Sequence, residues 1–174
     1  MITYEQFEFA APPFSGASWF VNASNRLGLG NVSFCRAYQP FPLDPSPFLR
    51  VSLIRHPCDW LLDCFREKHA IEIDGFNTLP RGNFDTFVDA YLQILPGAIG
   101  KLFNQYQADT VLKIEDMPWA LVELAEALGV PTSAQDRIRD MSQYQIAPYR
   151  WDDNRARERV LEAELDFCER YDYF

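Results

Sequence analysis

The chain offers a metal ion little to bind. It has only two histidines and four cysteines (Cys35, Cys58, Cys64 and Cys168). No CxxC pair and no histidine at zinc-ligand spacing occurs among them. The cysteines are therefore read as reduced core or surface thiols, and no metal cofactor is expected. Long apolar runs are missing too: no segment approaches the roughly 20 residues a spanning helix needs. The amino-terminal MITYEQFEF lacks a basic region followed by an apolar run. The expectation is a cytoplasmic chain with no membrane partner, in which the sequons at Asn22 and Asn31 are accidental. Basic residues are also scarce, 16 against 25 acidic, for a net charge of −9. A surface of that sign argues against non-specific nucleic-acid binding, which needs cations to replace the counterions on phosphate. Any phosphate site must be local, made of backbone N–H groups and a few arginines.

What is present is enough for a globular core. Hydrophobic residues make up 48% of the 174 and aromatics 15%, which excludes a disordered composition. The length suits one compact domain, residues 1–174.

Apolar patterning alternates strands with helices. Tyr4 to Ala11 reads as a short strand stopped by Pro12-Pro13, and the helix after it carries Phe20, Ala23 and Leu27 on one side before Gly28 and Gly30. Asn31 to Tyr38 alternates like a strand. A link with four prolines between Pro40 and Pro47 follows, expected to be a loop long enough to lie over a site. Phe48 to Ile54 is the best strand, apolar enough for burial on both faces of a parallel sheet. Cys58 to His69 fits a helix with Asp59 in its first turn. Asn83 or Asp85 caps a helix striped by Phe84, Phe87, Val88, Tyr91, Ile94 and Leu95, which Pro96-Gly97 interrupts before Ile99, Leu102, Phe103 and Tyr106. Asp109 to Ile114 is a second buried-strand candidate. Asp116 is expected to cap a helix with Pro118 at its second position, buried through Leu121, Leu124, Ala125 and Leu128 and closed by Gly129. Thr132 or Ser133 begins a short helix through Ile138 and Met141. Asp152 or Asp153 begins a last one carrying Leu161, Leu165 and Cys168.

This order predicts an α/β fold, a three-layer sandwich with a mainly parallel central sheet. In such sheets ligands bind beyond the carboxyl ends of the strands, where the loop after Ala11, Arg55-His56-Pro57 and Glu115-Asp116 all fall. Ser15, Gly16, Ala17 and Ser18, small residues between a strand and a helix, can turn several N–H groups toward one anion. The lysine of the hydrolase P-loop is absent, since Ala17 occupies its place. ATP or GTP hydrolysis is disfavoured, and with it a small phosphotransferase.

Three segments in order carry a more specific likeness. AAPPFSGASW, VSLIRHPCDWLLDCFRE and LKIEDMPWALVELAEALGV together resemble the donor loop, the Arg-x-Pro-x-Asp strand–helix and the later Glu-Asp strand–helix of the sulfotransferase family. The closing CERYDYF is similar to the family's helical end. The resemblance implies a P-loop-like sulfotransferase fold that transfers a sulfuryl group from 3'-phosphoadenosine 5'-phosphosulfate, without a metal, to a hydroxyl or amine of a small-molecule or glycan acceptor. On this likeness Ser15, Gly16, Ala17 and Ser18 hold the 5'-phosphate, Trp19 lies near the adenine and Arg55 meets the 3'-phosphate. Glu115 and Asp116 order the sheet edge and cap the helix.

Two positions depart from the family pattern. Phe14 stands where the family has a basic residue that neutralises the transferring group. Asp63 stands where it usually has a serine for the 3'-phosphate, and a carboxylate there repels the ligand unless it is turned away. The acceptor's general base is sought in His56, His69 or Asp44, with His56 placed first for its position at a strand end. Trp60, Trp119 and Trp151 are expected to be core or groove aromatics. Arg150, Arg155 and Arg157, interleaved with Asp152, Asp153 and Glu158, are read as a solvated helix face rather than a distal phosphate contact. The alternative from a different class is a catalytically inactive sulfotransferase-like binding or interaction protein.

Overall fold

A computed structural model describes residues 1–4, 6–29, 38–67, 73, 75–80, 82–139, 141, 151 and 154–174, apart from the side chains of 138 and 139. Among these the chain is a mixed α/β protein with four strands and eight helices. The expected strand at Asn31 to Tyr38 lies almost wholly outside the described residues, as do Cys35, His69, Arg150, Asp152 and Asp153. Two compact units form, each from two segments: Met1–Arg55 with Gln105–Ala147, and His56–Asn104 with Pro148–Phe174.

The first unit holds the sheet. Its strands β1 (Ile2–Thr3), β2 (Phe7–Ala10), β3 (Leu49–Ile54) and β4 (Thr110–Lys113) lie in that spatial order. The last three run parallel, with Ala10 opposite Ser52 and Ile54 opposite Lys113. β1 pairs antiparallel to β2, through a turn in which the Tyr4 amide donates to the Phe7 carbonyl over 2.8 Å. The alternation expected from Tyr4 onward is therefore a turn plus a four-residue strand. β4 is half-buried along its length rather than buried, because it forms the sheet edge among the described strands.

Helices α1 (Ala17–Leu27), α5 (Trp119–Ala127) and α6 (Thr132–Arg139) complete this unit. Phe7, Phe9, Val51 and Leu53, alternate residues of one sheet face, share a core with Phe20, Ala23 and Leu27 of α1 and Leu121, Leu124 and Ala125 of α5. Period 2 on the strands meets period 3.6 on the helices, so both buried sets meet in one layer. The rings of Phe9 and Phe20 stack at 4.1 Å. α1 ends as its sequence demands: Gly28 is left-handed at φ 78°, and its amide and that of Leu29 bond back to Asn25 and Ser24.

α5 starts differently from expectation. Ile114–Asp116 forms a short 3-10 turn, Met117-Pro118 is a cis peptide, and α5 begins at Trp119 with no side-chain cap. Asp116 is spent in the preceding turn and does not cap the helix.

The proline-rich link is held at the wrong end of the sheet to cover the carboxyl-edge loops. Arg50, second residue of β3, lies over the Phe41 ring at 5.4 Å and donates to the Asp44 carbonyl. It also faces Glu8, its register partner, at 3.4 Å, while its own amide donates to Asp109 at 2.8 Å. At about 3.3 Å per residue these anchors sit roughly 16 Å along the strand from Arg55.

The second unit is helical: α2 (Pro57–Arg66), α3 (Phe84–Ile94), α4 (Ala98–Asn104), α7 (Asn154–Ala163) and α8 (Leu165–Tyr171). Asn83 caps α3, its side-chain oxygen accepting from the Thr86 amide at 2.8 Å, as its place before an apolar stripe predicts. Pro96-Gly97 separates α3 from α4 as expected. The core is aromatic, with Trp60 edge-on to Phe76 and Phe103, and Phe167 against Phe103 and Tyr173. The single last helix expected from the sequence is two, broken at Glu164.

Candidate functional site

The parallel strands β2, β3 and β4 end at one edge of the first unit, and the loop Ala11–Gly16 leaves β2 there. Two residues of this loop have positive φ: Phe14 at 63° and Gly16 at 88°. Such a conformation suits glycine and strains phenylalanine, whose Cβ crowds its own backbone. At Gly16 a side chain is excluded twice over, because a Cβ would lie 2.4 Å from Ile114 Cδ1 as well as face the unfavourable φ.

Ser15 is fully buried, and its hydroxyl and amide both donate to the Pro12 carbonyl. Its side chain therefore closes the turn rather than facing out. Gly16 is the N-cap of α1 with no side-chain cap, and its carbonyl accepts from the Phe20 amide at 3.1 Å. Ala17 is buried against the core and Ser18 is exposed. The amides at the start of α1 are left without intrahelical acceptors, as in any helix, and the helix dipole adds partial positive charge beside them. A carboxylate or phosphate is the natural complement of such an end.

Trp19 is 9% exposed and belongs to the core of the first unit. The exposed tryptophan is Trp119, at 57%, whereas Trp60 and Trp151 are buried. Arg55, directly after β3, is 7% exposed and donates from Nη1 to the Phe14 carbonyl at 2.9 Å. Thus Ser15, Gly16, Ala17, Ser18 and Arg55 come together at one sheet edge. Phe14 joins them through its backbone, and its half-buried ring brings no charge. Asp44 is exposed, with its carbonyl bound to Arg50 at the amino end of β3.

His56 belongs to the second unit, where it caps α2: the Cys58 amide donates to its Nδ1 at 3.2 Å. A neutral imidazole carries one proton, so with Nδ1 accepting the proton is on Nε2. In that tautomer Nε2 cannot accept from the nearby Arg157 guanidinium, which only donates, and to act as a base through Nδ1 the ring must first release the Cys58 amide. The Arg157 guanidinium lies 3.5 Å from Nε2, and the Tyr173 ring meets the imidazole edge-on at 5.3 Å. Asp63 lies 3.8 Å from Arg66 on the same helix.

Sequence reasoning missed the most buried acid among the described residues of the second unit. Glu164 is 2% exposed and accepts from Tyr91 Oη, from the Ile99 amide at 3.2 Å and from the Gly100 amide at 2.8 Å. It thereby satisfies the start of α4 from the corner between α7 and α8. Burial raises its carboxyl above the ordinary value of 4.5 despite these donors, and pushes the Tyr91 hydroxyl up as well. Only a spacing between residues far apart in sequence reveals this cluster, and Glu164 itself sits in a charged run that reads as a solvated face. Cys58, Cys64 and Cys168 are free and buried; burial pushes the Cys58 thiol well above its usual range and Cys168 to about 11.

Among the described residues no group of three or more metal-ligating side chains forms, and no helix is long and apolar enough to cross a membrane. Comparison with known family models, with curated proteins and with solved structures finds no match to this chain.

Proposed function

We propose that the chain is a sulfotransferase of the P-loop-like, three-layer type, taking a sulfuryl group from 3'-phosphoadenosine 5'-phosphosulfate to a hydroxyl or amine. The observation that carries this reading is the left-handed, uncapped start of α1 at the carboxyl edge of three parallel strands. In the proposed complex the amides from Gly16 onward and the exposed Ser18 hydroxyl take the 5'-phosphate. The chemistry is an in-line displacement in which the acceptor oxygen or nitrogen forms a bond to sulfur as the bond to the phosphate oxygen breaks. The acceptor proton passes to a base. Positioning and N–H donors supply the catalysis, with no metal required.

A second reading rests on Phe14. Its side chain brings no charge to the transferring group, and its carbonyl is already bound by Arg55. That favours a protein that binds an anion at the loop without reacting. Calorimetric titration with 3'-phosphoadenosine 5'-phosphate separates the two from a chain without a donor site. Micromolar binding supports a donor site, and sulfuryl transfer to an acceptor panel then distinguishes enzyme from binder. No binding at millimolar ligand overturns the donor site and favours an inactive interaction protein that keeps the fold.

A further inference from the structure

We infer that Arg55 is a positioning residue of the loop: by donating to the Phe14 carbonyl it fixes the start of α1 and supplies the positive charge that position 14 lacks. The inference rests on the reading of the loop as a phosphate cradle.

A buried guanidinium is costly unless its charge is met by acceptors, and the Phe14 carbonyl at 2.9 Å is one. Phe14 holds φ 63° with a side chain that disfavours it, a conformation that persists only where the surroundings impose it. The neighbouring parts of the loop are fixed from other sides, Ser15 by Pro12 and Gly16 by Ile114. Arg55 reaches the strained residue, which lies between the Pro12–Pro13 corner and those two, from the end of the neighbouring strand. Finally, a cation held beneath the loop adds to the partial positive charge of the α1 amides, and its effect is strengthened where water is excluded. The resemblance puts a basic side chain at position 14; here a guanidinium from the next parallel strand reaches the backbone of that same residue. For Nη1 to meet a ligand phosphate directly, the Phe14 carbonyl would have to be released.

Two nucleotides separate the roles. Wild type and Arg55→Met are titrated with 3'-phosphoadenosine 5'-phosphate and with adenosine 5'-phosphate, which has no 3'-phosphate. Amide hydrogen exchange is followed at Ser15 and Phe20, whose amides bond to Pro12 and Gly16. A positioning role predicts that both nucleotides weaken by the same factor, about tenfold for a lost charge-assisted bond. It also predicts that Ser15 and Phe20 exchange about tenfold faster, with Leu53 in β3 unchanged. Weakening confined to the 3'-phosphorylated nucleotide overturns the inference in favour of direct contact, and so does unchanged exchange at Ser15 and Phe20. If wild type binds neither nucleotide, the proposed function fails, and the exchange result alone decides the role of Arg55. Should Arg55→Met not fold, Arg55→Gln, which also drops the charge, is read by the same exchange.

Discussion

Gly16→Ala is expected to destabilise the protein by an amount that Ile114 largely sets. An alanine at φ 88° costs about 1–2 kcal/mol for the left-handed conformation. Its Cβ would also lie 2.4 Å from Cδ1 and 2.7 Å from Cγ1 of Ile114, and overpacking of that kind costs about 1–3 kcal/mol. The total, about 2–5 kcal/mol, is a large share of the roughly 5–15 kcal/mol that holds a typical domain folded. Ile114→Ala removes both clashing atoms at a cavity cost of its own, about 2–5 kcal/mol. Measured in that background, Gly16→Ala should cost only the backbone portion, about 1–2 kcal/mol. The four proteins of this cycle are compared by urea unfolding followed by circular dichroism. Equal costs of Gly16→Ala in the two backgrounds would refute the packing argument, and a cost below about 0.5 kcal/mol in the wild type would refute the backbone argument too.

Two further outcomes concern the second unit. Because burial raises the Glu164 carboxyl above 4.5 in the folded state, its contribution is complete below that value and is lost as pH rises through the folded pKa. Urea midpoints between pH 4 and 8 should therefore show wild-type stability falling relative to Glu164→Gln as pH rises, and a wild type that holds constant or gains on the variant would contradict the assignment. Asn83→Ala should lose about 1 kcal/mol by removing the acceptor of the Thr86 amide, measured by thermal unfolding against Asn77→Ala in the exposed 3-10 turn as control.

How far the sequence reached depends on the distance over which each feature is decided. β3 was legible because a run of apolar and β-branched residues has few other uses. The ends of α1 and α3 were legible because Gly28 and Asn83 act on amides and carbonyls within a few residues of themselves. β1 was not, since two residues carry no periodicity and only pairing with β2 makes them a strand. The half-burial of β4 follows from its place at the edge, a property of the sheet rather than of TVLK. Asp116 has the spacing of a cap, but it lies inside the 3-10 turn Ile114–Asp116, and Met117 and Pro118 separate it from α5. His56 invited a catalytic role by type and position; its bond to the Cys58 amide depends on a ring orientation that no motif records. At the loop, the small residues Ser15 to Ser18 were visible as a group. Their division into an inward hydroxyl, an excluded Cβ, a buried methyl and an exposed hydroxyl was not.

The first unit is built from two stretches of chain, with residues 56–104 threaded between them. β2 and β3 can pair once both have emerged from the ribosome, so a nascent chain can already carry the loop. Ile114, which confines Gly16, follows that whole intervening stretch. The loop is thus synthesised well before it acquires this wall. A ribosome-bound fragment ending before β4 would own every residue of the proposed anion cradle, Arg55 included, yet lack the side chain that limits how far Gly16 can swing.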